Sequence, residues 1–161
     1  MKNSLLVVLV FGISAVIIGG GIWMSSASAR KISSLSTREV ALLCTTDMAT
    51  QFHIHPVLKI VINGEEQIIP AEIGIQPTCM NSLHTHDATG TLHVEAPEKR
   101  DFTLGDFFAV WQKPFSQNEL LDFKADATHK VSLTVNGAEV DTFENTILND
   151  LDHIVISYES I

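Results

Sequence analysis

Two Asn-Gly pairs, Asn63-Gly64 and Asn136-Gly137, each follow a run of alternating apolar residues. A type I′ turn needs positive φ at both central residues, which asparagine and glycine tolerate best, so each pair predicts a two-residue β-hairpin. In the first, Ile54, Leu58, Ile60 and Ile62 fall on one face, and the chain returns through Gln67-Ile68-Ile69 until Pro70 stops it. This register puts His53 and His55 on the other face. In the second, Val131, Leu133 and Val135 alternate up to the turn. The phrases around the two turns are alike, a sharing of turn chemistry that does not establish a repeat.

Between the hairpins, Thr91–Glu95 alternates with Leu92 and Val94 inward and His93 and Glu95 outward. Ile73–Ala88, with Gly74, Pro77 and Asn81, reads as a loop. Thr103 is a good N-cap with Asp106 three positions on, and Leu104, Phe107, Phe108 and Trp111 form one helical stripe that Pro114 ends. Ser116-x-x-Glu119 suggests a further helical turn, and Ile154, Val155, Ile156 and Tyr158 a closing strand. Two β-hairpins, a central amphipathic helix and a final strand predict a small mixed α+β domain, loosely β-grasp-like.

The domain is preceded by Leu5–Met24, twenty residues without a charge. At about 1.5 Å per residue a helix of that length spans the roughly 30 Å of a bilayer's hydrocarbon core. The length favours an uncleaved transmembrane anchor; Ala27-Ser28-Ala29 fits a cleavable signal peptide. Arg30, Lys31 and Arg38 after the span argue against export under the positive-inside rule, and Lys2 with the free amino terminus argues for it. The chain thus divides into a flank at 1–4, an anchor or signal at 5–24, a linker and lead-in at 25–50, and an extracytoplasmic domain at 51–161. The expected location is the cell membrane, single-pass with the domain outside the cytoplasm, or secreted after cleavage.

Residues 1–34 hold three basic residues and no acidic one, leaving seven basic against nineteen acidic residues, a formal net charge of −12. Such a surface repels phosphate backbones, so no nucleic-acid partner is expected. Cys44 and Cys79 are the two cysteines. In an exported chain they read as a disulfide, with the alternative that Cys79 is a thiolate ligand five residues before His84.

Five of the seven histidines lie between positions 53 and 93, four of them in the pairs His53-Ile54-His55 and His84-Thr85-His86. Residues at i and i+2 of a strand share a face, so each pair can offer two imidazole nitrogens to one transition-metal ion. His53, His55, His84 and His86 are therefore the candidate metal ligands, with Asp87, Cys79 and His93 as further donors. The bland alternative is that each pair lines its own segment and never meets the other. Cys79, His84 and His86 are also nominal ligands of a blue-copper centre. Known catalytic frames fit badly: Asp87 follows His86 too closely for H-x-H-x-D-H, and H-E-x-x-H is absent. No catalytic residue is assigned.

Phe52-His53-Ile54-His55-Pro56, Ile69-Pro70-Ala71-Glu72-Ile73-Gly74-Ile75, Leu83-His84-Thr85-His86-Asp87 with Thr89-Gly90, and Phe102-Thr103-Leu104-Gly105-Asp106-Phe107-Phe108 occur in that order. The set resembles a family of uncharacterised exported or membrane-anchored bacterial and archaeal proteins, over residues 50 to 115. The resemblance implies that both histidine segments and Cys79 belong to one design; it implies no activity.

The chain is thus expected to be a membrane-anchored, extracytoplasmic protein that binds copper or zinc, in metal capture or in delivery to a membrane protein partner. Two rivals remain. One is a metal-dependent enzyme using the same histidines with a bound water. The other is a surface interaction module whose histidines are structural.

Overall fold

The computed structural model describes residues 32–46 and 50–161. The expected membrane span at 5–24 lies outside them. Among the described residues no helix is long and apolar enough to cross a membrane. One compact unit covers Thr37–Ile161; the other ends at Ser36, and its described part is a single turn closed by Leu35 N–H on the Ile32 carbonyl.

Along the compact unit run α1 (Thr37–Leu42), β1 (Cys44–Thr45), β2 (Phe52–Ile54), β3 (Val57–Ile62), β4 (Glu65–Gln67), β5 (Ile75–Gln76), β6 (Cys79–Asn81) and β7 (Leu83–His84). There follow β8 (His93–Ala96), α2 (Leu104–Trp111), β9 (Phe115–Ser116), β10 (Glu119–Leu120), β11 (Phe123–Lys124) and β12 (His129–Val135). The unit closes with β13 (Ala138–Glu139), a 3₁₀ turn at Phe143–Asn145, and β14 (His153–Ser160).

These strands form four sheets, which overturns the expected α+β class: among its described residues the domain is mainly β, with one α-helix of eight residues and one of six. Nor is the β-grasp likeness retained. The physical reason lies in the short strands. Ile73–Ala88, expected as a loop, contains β5, β6 and β7, and Ser116–Glu119, expected as a helical turn, is the β9–β10 corner. Strands of two or three residues are too short to show a period, so sequence patterning does not report them.

The largest sheet has the order β13-β12-β14-β3-β4. Both Asn-Gly pairs close hairpins as expected, with φ of 51° and 86° at Asn63-Gly64 and 53° and 81° at Asn136-Gly137. The closing strand β14 joins the two hairpins, running antiparallel to β12 and parallel to β3. Leu58, Ile60, Ile62, Leu133, Ile154 and Ile156 are buried, as strand alternation requires.

Helix α2 begins with the complete capping box: Thr103 accepts from Asp106 N–H, and the Asp106 carboxylate accepts from Thr103 N–H. Leu104, Phe107 and Phe108 are buried, and α2 packs on β7 and α1. Arg38 of α1 holds the pair together, with its Nε 2.8 Å from the Asp106 carboxylate and a hydrogen bond to the Gly105 carbonyl. The short sheet β1-β6-β5 carries the Cys44–Cys79 disulfide.

Candidate metal centre

The third sheet, of order β2-β8-β7, builds the site. Its ladder pairs His53 with Glu95 and Ile54 with Val94, then Leu83 with Val94 and His84 with His93. Alternation does the sorting. Ile54, Leu83 and Val94 point into the core, with exposures from 0 to 8 %. The other face therefore gathers His53, Glu95, His93 and His84, joined by His55 just past β2 and His86 just past β7.

Backbone pairing holds the second histidine segment in place. Thr85, between His84 and His86, is fully buried; its hydroxyl donates to the Pro70 carbonyl and accepts from Ile73 N–H. Its own N–H donates to the Ile73 carbonyl, and its carbonyl accepts from Glu72 N–H. The Ile69–Ile75 motif is thus the clamp on Leu83–Asp87. Gly74, at φ +72°, lies so close that a Cβ there would stand 2.5 Å from the Leu83 carbonyl oxygen. Gly90, at φ +82°, would meet the Leu58 carbonyl oxygen at 2.3 Å, and its own carbonyl accepts from Leu58 N–H. This ties the loop before His93 to the main sheet.

His84 is buried, and its Nδ1–H donates to the Asn81 carbonyl at 3.1 Å, so its Nε2 presents a lone pair to the site. That Nε2 lies 3.2 Å from His86 Nε2. Burial lowers the His84 pKa from 6.5 to about 4, with smaller contributions from the nearby His86 and His93; the Asn81 carbonyl and Glu95 oppose the shift. His93 is lowered too, first by burial and then by His86 and His55. Both rings are held neutral, the state that ligates.

His93 Nδ1 is buried without a hydrogen-bond partner. Such an atom is rare enough in a folded protein to require an explanation. Around the ring stand His86 at 4.5 Å between centroids, His55 at 4.8 Å, His84 at 5.4 Å and His53 at 5.9 Å. Two donor sets follow, His53/His55/His93 and His84/His86/His93, in each of which the ligand atoms lie within 4.8 Å of one another. Either could hold a metal ion.

The structure therefore brings each expected pair to His93 and does not gather the four expected ligands into one such set. His93, an outlying donor in the sequence reading, is the member common to both. Its signal was present: outward alternation on a strand that also carries Glu95. Glu95 itself is a missed residue, its Oε1 3.1 Å from His53 Nε2. So is Asp150, which accepts from His55 N–H and lies 3.9 Å from His55 Nδ1. Asp150 is distant in sequence and no motif reports it.

Two other expected donors are engaged elsewhere. Cys79 is bonded to Cys44, which removes the thiolate and with it the blue-copper set. Asp87 accepts from both the N–H and the hydroxyl of Thr89, bonds that lower its pKa, and belongs to neither donor set. Among the remaining histidines, His129 stacks on Tyr158 at 5.1 Å, and the backbone N–H of His153 donates to Asn136.

Fold and site together define a mainly-β domain with a disulfide and a histidine cluster that could hold a metal ion. Comparison with protein-family models, curated proteins and solved structures finds no match.

Proposed function

We propose that this protein binds a transition metal, copper or zinc, outside the cytoplasm, in metal capture or in delivery to a partner at the membrane. One observation carries the reading: the buried, unpartnered Nδ1 of His93 belongs to the ring common to two three-histidine donor sets. Nitrogen-only sets suit copper and zinc and are unsuited to magnesium or calcium, which take oxygen ligands. Further support comes from groups that orient the rings, the Asn81 carbonyl on His84 and Glu95 on His53, an arrangement common around metal-bound histidines. The Cys44–Cys79 disulfide supports a location outside the reducing cytoplasm. The uncharged run at 5–24 supports attachment to a membrane.

A second reading has one observation in its favour. A set of three histidines leaves a fourth tetrahedral position for water, as in hydrolytic zinc centres. Binding is preferred because the two acidic side chains beside the cluster rings are already engaged, Glu95 with His53 and Asp150 with the His55 backbone N–H.

The test is elemental analysis of the full chain, purified without a histidine tag and dialysed after incubation with Zn(II) or Cu(II). Stoichiometric metal retained by the wild type and reduced in the H84Q/H86Q double variant, which removes one of the two donor sets, is the expected result. A folded wild type that retains neither metal would overturn the reading.

A further inference from the structure

The position of His93 carries more than a site for one ion. Ring contacts within the cluster run from His53 to His55, from His84 to His86, and from every one of these to His93. Among the described residues no ring contact joins the first pair directly to the second. His93 is the ring between them.

We propose that the cluster is a two-ion centre, with one transition-metal ion on each side of His93 and that imidazole shared between them. The proposal rests on the metal-binding reading above and adds its stoichiometry. The two nitrogens of an imidazole point away from each other in the ring plane, so an ion bound at one leaves the other aimed at a different region. Because β8 lies between β2 and β7, the two histidine pairs come to His93 from the neighbouring strands on its opposite sides. On one side His84 offers Nε2, because its Nδ1–H is committed to the Asn81 carbonyl, and His86 Nε2 lies beside it. On the other side stand His53, with Glu95 at its Nε2, and His55, with Asp150 near its Nδ1. The three-nitrogen sets so formed share His93 and no other residue.

The charge balance fits. The first ion binds His93 as a neutral ring; when the second binds the remaining nitrogen, the ring gives up its N–H proton to solvent and becomes an anion between two cations. No electron is transferred. The carboxylates of Glu95, Asp150 and Asp87 lie around the same cluster and offset the positive charge. A single ion shared by all five rings is disfavoured, because among the described residues no set larger than three has its donors within 4.8 Å of one another. Bonds of roughly 2.0–2.1 Å leave any two ligand atoms of one ion at most about 4.2 Å apart.

The probe is Cu(II), titrated into the metal-free full chain purified without a histidine tag, with copper counted by elemental analysis and its spins by electron paramagnetic resonance. Two Cu(II) per chain are expected. The spin signal should rise with the first equivalent and fall with the second, as the shared ring couples the two spins. H53Q/H55Q, which alters two half-exposed side chains, should bind one Cu(II) per chain with one full spin, its fold checked by circular dichroism. Saturation of the wild type at one Cu(II), or two Cu(II) with undiminished independent spins, would overturn the two-ion centre and leave the metal-binding reading standing. Retention of no copper by folded wild type would overturn both.

Discussion

His84 Nε2 and His86 Nε2 stand 3.2 Å apart, close to the roughly 3.3–3.4 Å that separates two ligands on a tetrahedral ion with Zn–N bonds of 2.0–2.1 Å. In a metal-free ring pair, one nitrogen donates a proton to the other. The Asn81 carbonyl commits the His84 proton to Nδ1, so His86 is the donor. Binding an ion then replaces a single shared proton and requires little movement of either ring, a preorganised arrangement.

The metal-free protein should lose stability as pH falls from 6.5 to 4. His84 has its pKa lowered from 6.5 to about 4 by burial, so between those values the unfolded chain takes up a proton that the folded chain refuses. The stabilisation is complete above pH 6.5 and gone below about pH 4, and is on the order of 3 kcal/mol. His93, lowered for the same reason, adds in the same direction. Urea unfolding across that range should show the loss, and H84Q should flatten it. A wild-type profile independent of pH would refute the assignment.

Replacing Glu95 by glutamine should weaken the His53/His55/His93 set more than the other. Glu95 is opposite His53 on the β2–β8 ladder, and its carboxylate, 3.1 Å from the ring's Nε2, favours positive charge at that imidazole. Losses of about 10–100-fold are usual when such a partner is removed. Copper titration of E95Q should therefore show one class of affinity reduced by that factor and the His84/His86 class changed far less.

Gly74→Ala should cost more than Gly64→Ala, although both residues have positive φ. At Gly64 an added Cβ meets nothing within 4 Å, leaving only the left-handed strain of about 1–2 kcal/mol. At Gly74 it also meets the Leu83 carbonyl oxygen at 2.5 Å and His84 Cβ at 3.3 Å. The total there should reach at least about 3 kcal/mol, with metal affinity reduced because His84 is displaced. Thermal unfolding and metal retention compare the two directly.

Reducing the Cys44–Cys79 bond, or replacing both residues by serine, should destabilise the domain by about 3–4 kcal/mol, given the 35-residue separation it closes. Metal affinity should fall as well. The bond lies in the β1–β6 pairing, and the last residue of β6 is Asn81, whose carbonyl fixes the His84 tautomer. Denaturation with and without reductant measures the first effect, and competition with a chelator the second.

Where the physics is local, the sequence determines the outcome. Asn-Gly sets the two hairpin turns because only such residues accept left-handed dihedrals in succession. Thr103 and Asp106 start a helix because each satisfies the other's backbone donor. The faces of β3 and β8 follow from alternation, which puts His93 and Glu95 together. His53 and His55 instead straddle the end of β2, which lies in a different sheet from β3, so the single strand expected through Ile54 and Leu58 is broken there.

Tertiary structure decided the rest. The parallel pairing of β14 with β3 joins residues nearly a hundred positions apart, and no local pattern encodes it. The short strands of β5–β7 exist because neighbouring segments offer hydrogen-bonding partners, so they leave no period in the chain from which a mainly-β class could be read. The same holds at the cluster. That His93 would stand between the two histidine pairs depends on β8 lying between β2 and β7, a matter of strand order that spacing in the chain cannot express.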